Sequence, residues 1–281
     1  MDELEFNKVR KSLLMSWKVC PRQAWYSVRD PEYGEYNKFN LKDPALLLGQ
    51  IFHKEMDKFY TKININEMVK IMNENEDAFK ALEQYLFANF SPTTHERCLR
   101  YFHWYASIEA ARFIKLYSES HTGITQRFIP LYIEKFVEIF DKENRIYRNG
   151  HFDRIDYISP GKLRLAEYKT GQSYDVAKSY KLTKLRLELY YYKNVIEQLP
   201  EFKGYEVSEW MLINPTTEAV FTSKFSVLTE RVLEESIPKL TVDINRKEPP
   251  PRNLNFYCFR CKYKEGCLIN IPENIFNINE V

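Results

Sequence analysis

Two carboxylates and a lysine in the second half of the chain have the residue types and spacing for chemistry. Asp153 lies in GHFDRIDY, and Glu167 and Lys169 lie in AEYK. Both segments alternate like strands, and SPGK between them has the residues of a tight turn, so together they predict an antiparallel hairpin. A turn at 159–161 puts Asp153 directly across from Glu167, and side chains so paired approach within about 5 Å. Glu167 and Lys169 share one face of their strand, with Tyr168 on the other. Two carboxylates at that separation suit a hard cation, Mg²⁺ or Mn²⁺. Such a cation activates water and neutralises charge on a phosphate, and Lys169 could orient the water or stabilise the transition state. By itself the pattern is common, and a surface hairpin with a Glu–Lys pair remains the competing reading.

The cysteines form a second group. The tail YCFRCKYKEGC spaces Cys258, Cys261 and Cys267 as C-x2-C-x5-C, and a fourth ligand must come from elsewhere in the chain. Cys20, in SWKVCPRQAWY, follows the first expected helix. No apolar run is long enough to span a membrane, and the N-terminus lacks an apolar signal core. The chain therefore reads as cytoplasmic, where disulfides are improbable. Cys98, in a helical region, reads as a buried small side chain.

Gly150-His-Phe-Asp153-Arg-Ile-Asp156 followed by Glu167-Tyr-Lys169-Thr-Gly171 resembles the PD-(D/E)XK nuclease superfamily. More narrowly, it is similar to the branch holding the RecB and AddB nuclease domains and the RecB-like CRISPR-associated adaptation nuclease. The resemblance implies that Asp153, Glu167 and Lys169 are catalytic. The branch carries an upstream G-x-x-x-H pattern, matched by Gly49 and His53, which adds His53 to Asp153 and Glu167 as a metal ligand. It also has a later helix with Gln-x-x-x-Tyr. Here LRLELYYYK puts Glu188 on the Gln and Tyr192 on the Tyr. Glu cannot donate an amide hydrogen bond, which puts in doubt how the DNA backbone or Lys169 is oriented. Lys178, Lys181 and Lys184 would form a basic strip on that helix, facing phosphates or only solvent.

The same branch holds an iron–sulfur cluster through one early cysteine and a late CxxC-x5-C, which implies a [4Fe-4S] site on Cys20, Cys258, Cys261 and Cys267. Zn²⁺ on the same four cysteines is the alternative. Such a site would staple the two ends of the chain together.

Around these residues, periodicity predicts helices over most of 1–30, broken at Cys20-Pro21, then over 45–60 and almost all of 63–120. Strands follow at LYIEKFVEIF, NGHFDRIDYI and LRLAEYK, then a helix at 175–197, the strands EVSEWMLINP and EAVFTSKFSV, and a helix at 228–246. RDPEYGEYNKFNLKDP reads as a loop. The fold class is α/β: a restriction-endonuclease-like mixed sheet flanked by helices, in one nuclease domain over 1–281. A helical insertion at 61–125 and a cluster subdomain of 1–30 with 247–275 complete the expected organisation. Tyr101, Phe102, Trp104 and Tyr105 in the insertion fit core packing better than base stacking. His95, His103 and His121 have no partner motif. His151 shares a face with Asp153 and is taken as structural.

The 281 residues carry a net charge of only +2, so nucleic acid would be held by a local basic groove and not by overall charge. No GxxxxGK[ST] motif is present, so unwinding would need a separate partner, a helicase, or in adaptation an integrase. The function implied is a Mg²⁺- or Mn²⁺-dependent exonuclease acting on single-stranded DNA or DNA ends, in CRISPR adaptation or in recombination and repair. The alternative is an inactive nuclease-like iron–sulfur subunit that binds DNA or organises an assembly.

Overall fold

The computed structural model describes residues 6–29, 44–93, 95–171, 180–255, 257–258, 261–264 and 267. The loop expected across 30–43 lies outside the described residues. The chain divides into two compact units. A terminal unit comprises Met1–Asn40, Phe140–Arg148 and Glu234–Val281, and a central unit comprises Leu41–Ile139 and Asn149–Leu233.

The terminal unit begins with a strand, β1 (Lys8–Arg10), then α1 (Lys11–Val19) and α2 (Pro21–Arg29). Cys20 between the helices is extended, at φ −158° and ψ 114°. Pro21 opens α2, where a missing N–H costs nothing. Val9, expected in a helix, is buried in β1 instead. A three-residue strand is too short for periodicity to reveal; its neighbour Asn7 accepts a hydrogen bond from the Tyr147 N–H at 2.6 Å.

Within this unit the C-terminal segments are bound back to the first helices. Trp17 donates to Asp243 at 2.9 Å, and Trp25 to the Arg246 carbonyl at 2.9 Å. The Asn255 amide donates to the Val19 carbonyl at 3.1 Å. The Tyr26 and Tyr263 rings stack with centroids 5.4 Å apart.

The remaining elements are α3 (Pro44–Phe59), α4 (Ile65–Glu74), α5 (Ala78–Phe87), α6 (Glu96–Glu119), α7 (Ile124–Phe128), β2 (Tyr132–Asp141), β3 (Ile146–Ser159), β4 (Lys162–Tyr168), α8 (Tyr180–Ile196), β5 (Glu206–Asn214), β6 (Ala219–Lys224) and α9 (Val227–Ile244). The strands form a six-stranded mixed sheet in the order β1-β3-β4-β5-β6, with β2 also paired to β3. β3 and β4 are antiparallel. β4 runs parallel to β5, with α8 in the connection between them. The α/β expectation holds, with one strand more than periodicity predicts. No described helix is long and apolar enough to cross a membrane.

The β3–β4 hairpin differs from expectation in its turn and agrees in its register. Ser159 pairs with Lys162, so only Pro160 and Gly161 form the turn, and Gly161 has the left-handed φ of 75° that a type II turn needs after proline. A bulge between Tyr157 and Ser159 then shifts the pairing by one, giving Arg154↔Ala166 and Ile155↔Leu165. The next pair in that register is Asp153 with Glu167.

In the helical lobe, the first part of the helical stretch expected over 63–120 is two helices, α4 and α5. Asn64 caps α4 by accepting from the Asn66 and Glu67 N–H groups. Asp77 caps α5 by accepting from the Lys80 N–H at 3.1 Å. A short polar side chain that satisfies the first N–H groups starts a new helix where apolar spacing alone would continue the old one. Tyr101, Phe102 and Tyr105 of α6 are buried with Phe52, Phe59 and Tyr168.

Beneath the sheet of the central unit runs a buried polar network. Arg154, with no exposed surface, donates through Nε to Asp156 at 2.7 Å. Its Nη1 donates to the hydroxyls of Tyr60 at 2.6 Å and Tyr105 at 2.8 Å, and to Glu109 at 3.2 Å. Glu109 also pairs with Arg112 at 2.6 Å. Removing one partner of such a set leaves an uncompensated buried charge, at a cost of about 3–5 kcal/mol. Arg154→Ala is therefore expected to lower the urea midpoint by a corresponding amount, with Arg154→Lys losing less; an unchanged midpoint for Arg154→Ala would contradict this.

Candidate metal centre

The site is assembled by α3, β2, β3 and β4 within the central unit. His53 lies on α3 one turn after Gly49. A Cβ built on Gly49 would stand 3.1 Å from the Thr170 hydroxyl oxygen, so glycine lets α3 lie close against the segment that follows β4. That segment is held from β5: the Lys169 N–H bonds the Ile213 carbonyl at 3.0 Å, and Asn214 donates to the Gly171 carbonyl at 2.9 Å.

His53 Nδ1 lies 2.6 Å from Glu134 Oε1 and 3.8 Å from Asp153 Oδ1. One donor atom from each of His53, Glu134 and Asp153 lies within 4.8 Å of the others. Imidazole with two carboxylates is a donor set suited to Mn²⁺ or Mg²⁺. The other Asp153 oxygen accepts from the Tyr168 N–H at 2.7 Å, which fixes the carboxylate plane. Glu167 is buried beside this group, with Oε1 2.5 Å from Lys169 Nζ.

Glu134 is the residue that sequence reasoning missed. It sits in β2 with a left-handed φ of 46°, a backbone state that costs of order 1–3 kcal/mol and clusters at functional sites. The departure breaks the face alternation of the strand and re-aims the carboxylate at His53. Nothing in the pattern LYIEKFVEIF signals it, because alternation assumes every residue is extended.

Burial pushes the Asp153 carboxyl up to about 7, and the Glu167 charge pushes the same way; His53 and Lys169 offset part of this. Burial pulls His53 down, but the Glu134 hydrogen bond and the charges of Asp153, Glu134 and Glu167 outweigh it, so the imidazole is raised. The pocket collects more negative charge than its own cations neutralise.

The helix expected to carry DNA contacts, α8, presents a mixed result. Glu188 Oε2 lies 3.7 Å from Lys169 Nζ, so the carboxylate in place of the pattern's Gln faces the lysine directly. Tyr192 is buried, and a Cβ on Gly150 would stand 2.7 Å from its ring. Tyr192 therefore packs under the hairpin rather than at an open surface. Lys184 is exposed. The Lys181 side chain and all of Lys178 lie outside the described residues.

In the terminal unit, Cys20, Cys258, Cys261 and Cys267 line one cavity together with Gln23, Tyr26 and Arg252. Burial pushes the Cys261 thiol up, and the nearby Cys20, Cys267 and Cys258 thiols add to the shift. Burial likewise raises Cys267, with Arg22 and Arg252 pulling the other way. Among the described residues, no three cysteine sulfurs lie within 4.8 Å of one another. Cys98 is buried in the helical lobe.

Comparison with known proteins adds the family. The model of the PD-(D/E)XK nuclease superfamily matches residues 14–268. The solved structure of SSO0001 is 16% identical, with 95% of this chain and 89% of that one covered and a TM-score of 0.46. A proposed exonuclease from Eubacterium rectale is 9% identical over the same shares, with a TM-score of 0.45. No curated protein matches the chain.

The raised Asp153 has a consequence for stability. Between its ordinary value of 3.8 and about 7, the folded chain holds a proton that the unfolded chain has released. Stability from this group therefore falls as pH rises through that window, and the raised His53 adds a loss in the same direction. Urea midpoints of EDTA-treated protein should fall across that window more steeply for the parent than for Asp153→Asn. Added Mn²⁺ should raise the parent's midpoint most at the alkaline end, because only deprotonated ligands bind it. Equal slopes for parent and Asp153→Asn would show that Asp153 is not the group responsible.

Proposed function

The chain belongs to the PD-(D/E)XK nuclease superfamily, matched over residues 14–268, and we propose that it is a Mg²⁺- or Mn²⁺-dependent deoxyribonuclease acting on single-stranded DNA or DNA ends. The observation that carries this reading is the convergence of His53, Glu134 and Asp153 donor atoms within 4.8 Å, beside a lysine held on Glu167 at 2.5 Å.

His53, Asp153 and Glu134 would hold the cation, with Glu167 adjacent. When bound, the cation supplies Lewis-acid polarisation of a phosphate and a water acidified enough to attack it. Lys169 keeps an ammonium beside the carboxylates, where it orients the attacking water or meets charge developing on the phosphate. Glu167 sets the position of that ammonium, and Glu188 offers it a second carboxylate 3.7 Å away. The Tyr168 N–H holds the Asp153 carboxylate in one orientation, so the site is ordered before substrate arrives.

Cys20, Cys258, Cys261 and Cys267 would hold a [4Fe-4S] cluster in a subdomain of 1–30 with 247–275. The preference for iron–sulfur over zinc rests on the resemblance; that all four cysteines line one cavity suits either group. The cluster would tie the two ends of the chain together. By the resemblance to adaptation and recombination nucleases, the activity would serve CRISPR adaptation or DNA repair in the cytoplasm, with an integrase or helicase as partner. A second reading, an inactive nuclease-like subunit that binds DNA or organises an assembly, draws on Glu188 facing Lys169 where the resembled pattern has Gln.

The test is cleavage of end-labelled single- and double-stranded DNA by anaerobically purified protein, with Mn²⁺ or with EDTA. The expected result is metal-dependent degradation, lost in Asp153→Ala, Glu167→Ala and Lys169→Ala while DNA binding persists. Full cleavage by Lys169→Ala would sink the mechanism. Binding without cleavage in the parent would favour the assembly subunit. For the cluster, purified protein should be brown and contain iron, and Cys258→Ala should lose colour and stability; a colourless, folded, zinc-containing parent would refute the assignment.

A further inference from the structure

The solvent face of β2 and β3 carries an aromatic pair that the metal centre does not use. Phe136 is 54% exposed, and its ring centroid lies 5.7 Å from that of the exposed His151. His151 is two residues before Asp153 on β3. Side chains so spaced share a face, about 6.6 Å apart along the strand. The intervening Phe152 is fully buried, as that alternation requires. The pair therefore occupies the position next to the metal-ligating carboxylate, on the same face of the same strand. The spacing is comparable to one step along an extended single strand of nucleic acid. Beyond the pair, Glu138 accepts from the Asn149 amide at 2.9 Å, and its carboxylate would repel a phosphate there.

We infer that Phe136 and His151 form a stacking platform for one base of a single-stranded substrate, next to the nucleotide whose phosphate lies at the metal centre. The inference rests on the nuclease reading above and deepens it by assigning the unpaired base as the feature that is recognised. An aromatic face accepts any base, so the platform selects for single strands without selecting sequence. A duplex, whose bases are stacked on one another, cannot use it. The exposed ring of Phe136, a cost in the free protein, then has a use.

The experiment measures binding of a fluorescein-labelled oligothymidylate and of a blunt duplex by anisotropy, in EDTA so that nothing is cut. Phe136→Ala and His151→Ala are each expected to weaken single-strand binding about tenfold, with duplex binding nearly unchanged. Phe136→Leu, which keeps the apolar bulk, should also lose affinity. Phe136→Trp should keep it and show emission quenched by the oligonucleotide. Parent-like affinity in the folded alanine variants, or a parent that binds no single strand, overturns the platform. A parent that sediments as an oligomer, with Phe136→Ala a monomer of unchanged DNA affinity, also overturns it by making this face a contact between copies. If the variants lose binding while the parent cuts nothing with Mn²⁺, the platform stands and the nuclease reading falls.

Discussion

Negative charge gathered where water is scarce is the constraint around which the central unit is organised. Asp153 and Glu167 are buried, and Glu134 is pointed at the same spot. Carboxylates so placed repel one another and lose hydration, which is why Asp153 is driven up to about 7. A fold that only had to be stable would not keep them there. What holds them is a set of local devices: a left-handed residue in β2, a backbone N–H fixed on Asp153, a lysine clamped to Glu167. Each is a small loss or a fixed orientation that a divalent cation would turn into a gain.

Strand alternation separates this charged face from its support. Asp153 and Glu167 look one way, while Arg154, Asp156 and Tyr168 look the other. On that reverse side, Arg154 bonds Asp156 through Nε, and Glu109 and two tyrosine hydroxyls through Nη1. Tyr105 in turn bonds Tyr168 at 3.0 Å, so the network reaches the strand that carries Glu167 and Lys169. Glu109 and Tyr105 belong to α6, inside the segment that reads as an insertion. The helical lobe is thus part of the foundation of the site and not an appendage to it.

The terminal unit shows a comparable division of labour with different chemistry. Side-chain amide and indole donors find the backbone and side chains of distant segments, as Trp17 does with Asp243 and Asn255 with Val19. These bonds accompany the meeting of Cys20 and the late cysteines in the lining of one cavity.

The sequence by itself determined the parts that depend on neighbours along the chain. Alternation and the SPGK turn were enough for the hairpin, its register and the juxtaposition of Asp153, Glu167 and Lys169, even though the turn is shorter than expected and a bulge restores the pairing. Apolar period was enough for most helices, and motif spacing singled out His53, which meets Glu134 and Asp153, and the four cysteines that line one cavity. Only the tertiary structure decided what depends on departures from regularity or on contacts between distant segments. Glu134 entered the metal group through one left-handed residue, and periodic patterns contain no information about such a departure. Tyr192 went under Gly150 instead of to the surface because the absent Cβ left a space that its ring fills. Phe136 and His151 met because β2 pairs with the next strand, β3, in a register that neither strand's alternation sets alone.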